Sequence, residues 1–341
     1  MPRARRAHLL VGNPTAQSGR NAERIERARS LFKQRKIGCD FLATEPEGRT
    51  IAAVTAAVES GSHRCVIAMG GDGTFREVAA GLLASKRRAD VALGMLPTGT
   101  ANDQGKSFGM EADEESLERN LEVVLLGHET LLDAGVLRSL DERGREQSSA
   151  AFFDSAGWGI SARVLARRNR DRERVEKNEL LREVYRDKAV YAGALLKTFF
   201  ESYVIDDKFT AHALVDGEVI KLEGLTDLIV KNTRIYAGAW IFDRTARHDD
   251  GQFEVVPFRG KRDWLSKAIS EHEHSPISSD LLGAFGIEHS KPFRVSKLKL
   301  RFEMPEGGEE LAAQIDGEEL PASPRVEIEV LPRALRLIIP A

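Results

Sequence analysis

Residues 70 to 74 read Gly-Gly-Asp-Gly-Thr. Glycines at this density let backbone approach a phosphate closely and turn amide N–H groups toward it. The aspartate among them is the informative residue. A carboxylate inside a phosphate cradle repels the anion unless Mg2+ lies between them or a proton is taken nearby. Asp72 therefore points to phosphoryl transfer rather than passive dinucleotide binding, with a tight turn and a helix-capping Asp as the alternative. Neither G-x-x-x-x-G-K-[ST] nor G-x-G-x-x-G is present, which excludes the ordinary P-loop and dinucleotide fingerprints. A second glycine turn, "LPTGTANDQGKSFGM", adds Thr98, Gly99, Thr100, Asn102 and Asp103. The stretch "NPTAQSGR" adds Asn13, Ser18, Gly19 and Arg20.

These turns need a scaffold that brings them to one edge. Cys65 to Met69 is a short apolar run suited to a strand buried on both faces. Phe75, Val78, Ala79, Leu82 and Leu83 then mark one face of a helix, and the T-x-x-E spacing of Thr74 and Glu77 predicts a capping box that starts it at Thr74. Strands at 8–12, 39–43, 65–69 and 91–96 alternate with helices at 21–35, 48–60, 74–85 and 114–127. That alternation predicts a parallel, doubly wound α/β sheet with ligands at its carboxyl edge. After about Leu132 the patterning changes to short alternating stretches such as "FTAHALVDGEVIKLEG" and "RVSKLKLRF", read as a second, mostly β domain with a helical insert from about Ser161 to Tyr203. The boundaries follow: 1–132 for the α/β domain and 133–325 for the β domain.

The chain has 341 residues, 42% hydrophobic and 30% charged, with a net charge of −3. That supports two soluble domains and carries no global nucleic-acid signature. Cys39 and Cys65 lack CxxC spacing, so neither a disulfide nor a metal is suggested. The basic N-terminus precedes only about five apolar residues, too few for a signal peptide, and no run approaches the roughly 20 residues of a membrane span. The expected location is cytoplasmic, with transient contact at the inner face of the membrane.

The three turns resemble the nucleotide-site motifs of the diacylglycerol kinase catalytic family, which includes bacterial lipid kinases and sphingosine and ceramide kinases. The resemblance continues through "LLDAGVL", "FFDSAGWGISARV", "DKAVYAGALLKTF", "LIVKNTRIYAGAWIFDRTARHDDGQFEVV" and "QIDGEEL" in the family's order. It implies an NAD kinase-like or phosphofructokinase-like α/β domain, a second β-sandwich domain, a last strand from about 326 to 341 that returns to the first domain, and ATP with Mg2+. The nucleotide-contact positions are then Thr44, Gly70, Gly71, Asp72, Gly73, Thr74, Phe75, Arg76 and Thr100, with Asn13 close by. The family's catalytic base is the glutamate of a late Asp-Gly-Glu triplet, here Glu318. An earlier triplet, Asp216-Gly217-Glu218, lies between alternating runs where Asp-Gly reads as a hairpin turn. Asp72 and Asp133 are candidates to hold metal or orient the acceptor hydroxyl, with strand-end capping an open alternative for Asp133. The resemblance also implies a structural Mg2+ on Asp250 and the carbonyls of Arg247 and Gln252, against a simple β-turn.

Two features depart from the family pattern. "NDQGKS" stands where N-D-F-A-R is usual, leaving Lys106 as the cation of that region. The insert carries six arginines from Arg163 to Arg174, which with Leu195, Leu196, Phe199, Phe200 or "SSDLLGAFGI" would suit peripheral membrane contact; a solvated helical face is the alternative. The reading is a lipid kinase acting on diacylglycerol or a related lipid in phospholipid metabolism, with a homodimer left open. An NAD kinase, or a silent nucleotide-binding or membrane-adaptor protein, are the rivals.

Overall fold

The computed structural model describes residues 7–99, 102–166, 208–272, 290–304, 307 and 310–341. Strands β1 (Ala7–Gly12), β2 (Cys39–Ala43), β3 (His63–Gly70) and β4 (Ala92–Pro97) form a parallel sheet in the order β2-β1-β3-β4. Their near-continuous apolar runs follow from helices covering both faces. Helices α1 (Arg20–Gln34) and α5 (Ser116–Leu126) bury Ile25, Phe32 and Leu121 against Leu10, Ile67 and Leu96 on one face. Helices α2 (Arg49–Glu59) and α3 (Asp72–Ala84) bury Val54, Phe75 and Leu82 against Val11, Val66 and Leu93 on the other. The predicted doubly wound architecture is present, and the predicted elements of this layer lie within two residues of the observed ones.

Strand β5 (Glu129–Leu140) leaves this layer and pairs antiparallel with the long carboxyl-terminal strand β16 (Arg325–Ile338). The two run together from Leu140↔Arg325 to Glu129↔Ile338, with one irregularity between Leu331 and Leu335, where Arg333 adopts φ +52°. The far end of β16 also meets β4 at Leu337↔Leu93. Its near end continues the same sheet through β13 (Lys297–Glu303), β8 (Phe209–Val215) and β9 (Glu218–Leu225), while β5 carries β6 (Glu146–Phe152).

A second, antiparallel sheet packs across this extension. It holds β7 (Ser155–Gly159), β10 (Asp227–Lys231), β11 (Phe253–Phe258), β12 (Phe293–Val295), β14 (Ala313–Ile315) and β15 (Glu318–Leu320), in the order β12-β11-β10-β7-β14-β15. Phe152, Leu300 and Ile328 of one sheet meet Trp158, Val230 and Phe253 of the other in a single core. Full burial of each such phenylalanine contributes about 1.5–3 kcal/mol. The sandwich is therefore real, yet it shares one ten-stranded sheet with the α/β layer. Residues 160–166 are helical at the start of the expected insert; the rest of that insert, with its arginines from 167 onward and Leu195 to Phe200, lies outside the described residues, as does "SSDLLGAFGI".

One local expectation is corrected. Helix α3 begins at Asp72, not Thr74, and its N-cap is Gly71 in extended backbone with no side-chain cap bond. The capping-box pattern is overridden because the Thr74 side chain packs over Gly70, where any β-carbon would collide with it.

Candidate active site

The carboxyl ends of β3 and β4 bring the two glycine turns together. Thr98 N–H donates to Gly70 O at 2.8 Å, and a β-carbon on Gly99 would stand 2.5 Å from Gly71 Cα. Backbone meets backbone here: Gly99 has no room for a side chain, and a β-carbon on Gly71 would press on Gly99 Cα at 3.3 Å. Asn102, at φ +52°, folds back on the second turn: its Oδ1 accepts Gly99 N–H at 2.9 Å and its Nδ2 donates to Gly99 O at 2.7 Å. Asp72 Oδ1 accepts the Gln104 amide at 3.1 Å, which joins the first turn to the short helix α4 (Asp103–Ser107). That helix was not predicted. Arg76 carries a buried Nε with no hydrogen-bond partner among the described residues. Phe75, by contrast, is buried in the core against Phe153, 6.3 Å between ring centroids.

The late Asp-Gly-Glu triplet arrives from the sandwich. It is the turn of the β14–β15 hairpin, with positive φ at Asp316 and Gly317. Asp316 is buried and accepts three backbone amides, those of Phe153 (2.9 Å), Asp154 (2.8 Å) and Ser155 (2.9 Å), while its own N–H donates to Ser155 O. Gln314 Oε1 accepts Gly317 N–H at 2.9 Å. The next residue, Glu318, is exposed, and its Oε1 would lie 2.9 Å from a β-carbon on Gly73. A carboxylate thus stands over the first turn of α3, the end of a helix at which backbone N–H groups and the dipole favour a phosphate. The earlier triplet makes the same turn between β8 and β9, with Asp216 holding Ser296 and Lys297; it contributes nothing to this juxtaposition.

Several functional neighbours escaped sequence reasoning. Lys231 Nζ pairs with Asp154 Oδ1 at 2.6 Å and donates to Ile235 O at 2.7 Å, all buried. Around this pair burial raises the carboxyls above their ordinary range. Asp72 is raised by desolvation and then by the charge of Asp154. The same causes, in that order, push Asp103 up to about 8 and Asp316 up to about 7. Asp103 Oδ1 accepts Gly238 N–H at 2.6 Å and Lys106 Nζ donates to Gly238 O at 2.8 Å. Lys106, the cation of that region, thus reaches across to the loop after β10. The signal missed was "LIVKNT": a lysine closing an apolar strand must be paired if it is buried.

These raised values predict a pH dependence. Asp227, pushed up to about 7 by burial, joins Asp103 and Asp316. The folded chain holds protons on them that the unfolded chain has released, so stability is lost as pH rises through 7 to 8, at up to about 1.4 kcal/mol per pH unit for each proton held. His8 works the opposite way below its ordinary 6.5, because burial and Arg64 push it down to about 4. Thermal unfolding between about pH 6.5 and 8.5 should show a falling midpoint, flattened in Asp227→Asn. A flat or rising midpoint in the unmodified chain contradicts the assignment.

The remaining predicted residues lie around this centre. Asp133 is buried at the β5–β16 crossing, where its oxygens accept Gly251 N–H (2.7 Å) and Arg333 N–H (2.6 Å). Asn13 Oδ1 accepts the N–H and O–H of Thr15, and Thr44 N–H donates to Gly12 O; both sit at the β1 and β2 carboxyl ends. Thr100 lies outside the described residues. Arg247, Asp250 and Gln252 occupy one exposed turn in which Asp250 Oδ1 accepts Gln252 N–H at 3.1 Å.

Residues 7–137 match the family described as "Diacylglycerol kinase catalytic domain". The Pseudomonas aeruginosa protein named "Probable lipid kinase YegS-like" is 26% identical over 95% of this chain and 92% of its own length. A diacylglycerol kinase structure from Bacillus anthracis superposes with TM-score 0.64 at 17% identity, covering 98% of this chain and 97% of that one. Yeast NADH kinase superposes with TM-score 0.50 at 8% identity, covering 98% and 84%. The fold is that shared by these structures, and residues 7–137 are similar to the diacylglycerol kinase catalytic domain.

Proposed function

We propose that the protein is a lipid kinase that transfers the γ-phosphate of ATP to the hydroxyl of diacylglycerol or a related lipid. The observation that carries this reading is the Glu318 carboxylate facing Gly73. A binding module needs no base at its phosphate cradle, whereas a lipid hydroxyl, with its very high pKa, must lose a proton as it attacks phosphorus. A positioned carboxylate contributes about 10²–10⁴-fold to such a step.

In this reading the amides of Gly71 to Thr74 and the 98–103 turn hold and orient the phosphates. Glu318 Oε1 accepts the hydroxyl proton as the oxygen–phosphorus bond forms and the bond to the leaving ADP oxygen breaks. Asp316 and Gln314 keep Glu318 at its station, and Asp103 with Lys106 keeps the two halves of the cleft in register through Gly238. Asp133 serves as a structural tie. Asp72 fits as an oxygen donor for Mg2+, but among the described residues no three acidic, His or Cys side chains converge on a metal point. Phosphate oxygens of the nucleotide would complete the shell. When bound, the ion would neutralise charge on the transferred group. Among the described residues no helix is long and apolar enough to cross a membrane, and the acceptor would be met at the bilayer surface.

The test is phosphate transfer from γ-labelled ATP with Mg2+ to diacylglycerol, sphingosine, ceramide and phosphatidylglycerol in mixed micelles, with NAD in parallel. Label in an organic-extractable product supports the reading and names the acceptor class. Label in NADP, or no transfer with ATP still bound, overturns it.

A further inference from the structure

Away from the cleft, three carboxylates converge on one guanidinium. Arg294 in β12 lies directly across from Glu254 in β11. Its Nη2 donates to Thr245 Oγ1 at 2.6 Å and to Asp243 Oδ2 at 3.2 Å. Its Nη1 stands 3.8 Å from Asp250 Oδ2, and its Nε 3.6 Å from Glu254 Oε1. Glu254 is 1% exposed, and among the described residues neither of its oxygens has a hydrogen-bond partner. A buried carboxylate left in that state is strongly unfavourable unless a positive charge stands beside it. Burial and then the charge of Asp243 push the Glu254 carboxyl up to about 8, and the Arg294 guanidinium offsets part of that.

Asp250 is also the side chain on which the sequence resemblance would place a structural Mg2+. The local chemistry does not suit that ion. One Asp250 oxygen accepts the Gln252 amide and the other faces Arg294, so a divalent cation on Asp250 would sit beside a fixed positive charge and be repelled. We infer that Arg294 occupies the place of a cation in this chain, so that the 243–252 turn is held by the protein's own charge and needs no metal. The turn matters beyond itself: it delivers Gly251 N–H to the Asp133 carboxylate and His248 O to the Asp133 amide, at the crossing of β5 and β16.

Thermal unfolding of the full-length chain without nucleotide tests this, in EDTA and in about 10 mM MgCl2 or CaCl2 at matched ionic strength, because a ligand of the folded state raises the midpoint. The midpoint of the unmodified chain should be the same in all three. Arg294→Ala strips the charge from three carboxylates and leaves a hard-oxygen donor set; its midpoint should fall by several degrees in EDTA and recover at least half of the loss with Ca2+ or Mg2+. Arg294→Lys, which keeps a cation, should stay closer to the unmodified chain and respond weakly to either ion. A saturable Mg2+ stabilisation of the unmodified chain overturns the inference. So does an Arg294→Ala protein that is unshifted in EDTA or indifferent to divalent ions. Should that variant fail to fold in EDTA, soluble folded protein obtained only with Ca2+ supports the inference, and failure in Ca2+ as well overturns it. The readout is stability, so the result stands whatever the acceptor of the kinase proves to be.

Discussion

Glu318→Gln lowers phosphate transfer by about 10²–10⁴-fold while ATP affinity stays within experimental error. The amide has the size of the carboxylate and cannot take a proton, and Glu318 is exposed on a hairpin whose anchors are other residues. A surface change of this kind alters stability by roughly 0.5 kcal/mol or less, so the loss reports chemistry and not unfolding. Steady-state transfer of label and calorimetric ATP binding, measured on the same preparation, separate the two. Glu218→Gln is the matched control, because that triplet makes the same turn far from the glycine cradle; its turnover should equal that of the unmodified enzyme. Full activity in Glu318→Gln would remove the residue from the mechanism.

Asp316→Ala has the largest expected effect on stability. Its carboxylate satisfies the amides of residues 153 to 155, all buried. Alanine leaves three donors without acceptors, at about 1 kcal/mol or more each, so urea unfolding should show a loss of roughly 3 kcal/mol or more. The part of the carboxyl's burial penalty that is relieved offsets some of this. Asp316→Asn retains one acceptor oxygen and should fall between. Where Asp316→Asn remains folded, kcat should drop with the KM for ATP unchanged, since the tether of Glu318 is loosened while the glycine turns are intact. An Asp316→Ala protein as stable and active as the original would show that the hairpin is held by something else.

Much of this was readable from the chain. Alternating apolar runs gave the α/β layer because each strand is buried on both faces and each helix on one, and both constraints are local. The Gly-Gly-Asp-Gly-Thr turn was legible because only glycine lets the Gly71 and Gly99 backbones touch. What was not legible depends on neighbours distant in sequence. Asp154 meets Lys231 across 77 residues, and Asp316 meets Phe153 across 163; no spacing rule reaches that far. Helix α4 was missed because it is five residues long and opens on an Asn102 turn in left-handed backbone. The start of α3 was misjudged because side-chain contact outweighed a local capping pattern. The choice of Glu318 over Glu218 rested on the preceding "QI", the late position and the earlier Asp-Gly read as a hairpin turn; both triplets are hairpin turns, and what distinguishes them is that Glu318 faces Gly73 at a helix N-terminus.

Strand β16 carries a consequence for the life of the chain on the ribosome. The open edge of β4, which closes the α/β layer, is completed by Leu337, and the β5 ladder that flanks it by residues 325 to 338. Both partners emerge long after β4 and β5. Until residues 325 to 338 have been made, the half that was made first exposes an apolar, unpaired strand edge, the kind of surface that recruits chaperones or aggregates. A nascent chain stalled before residue 325 should therefore remain protease-sensitive throughout, and a gene cut at the apparent domain boundary should yield two insoluble pieces instead of two modules.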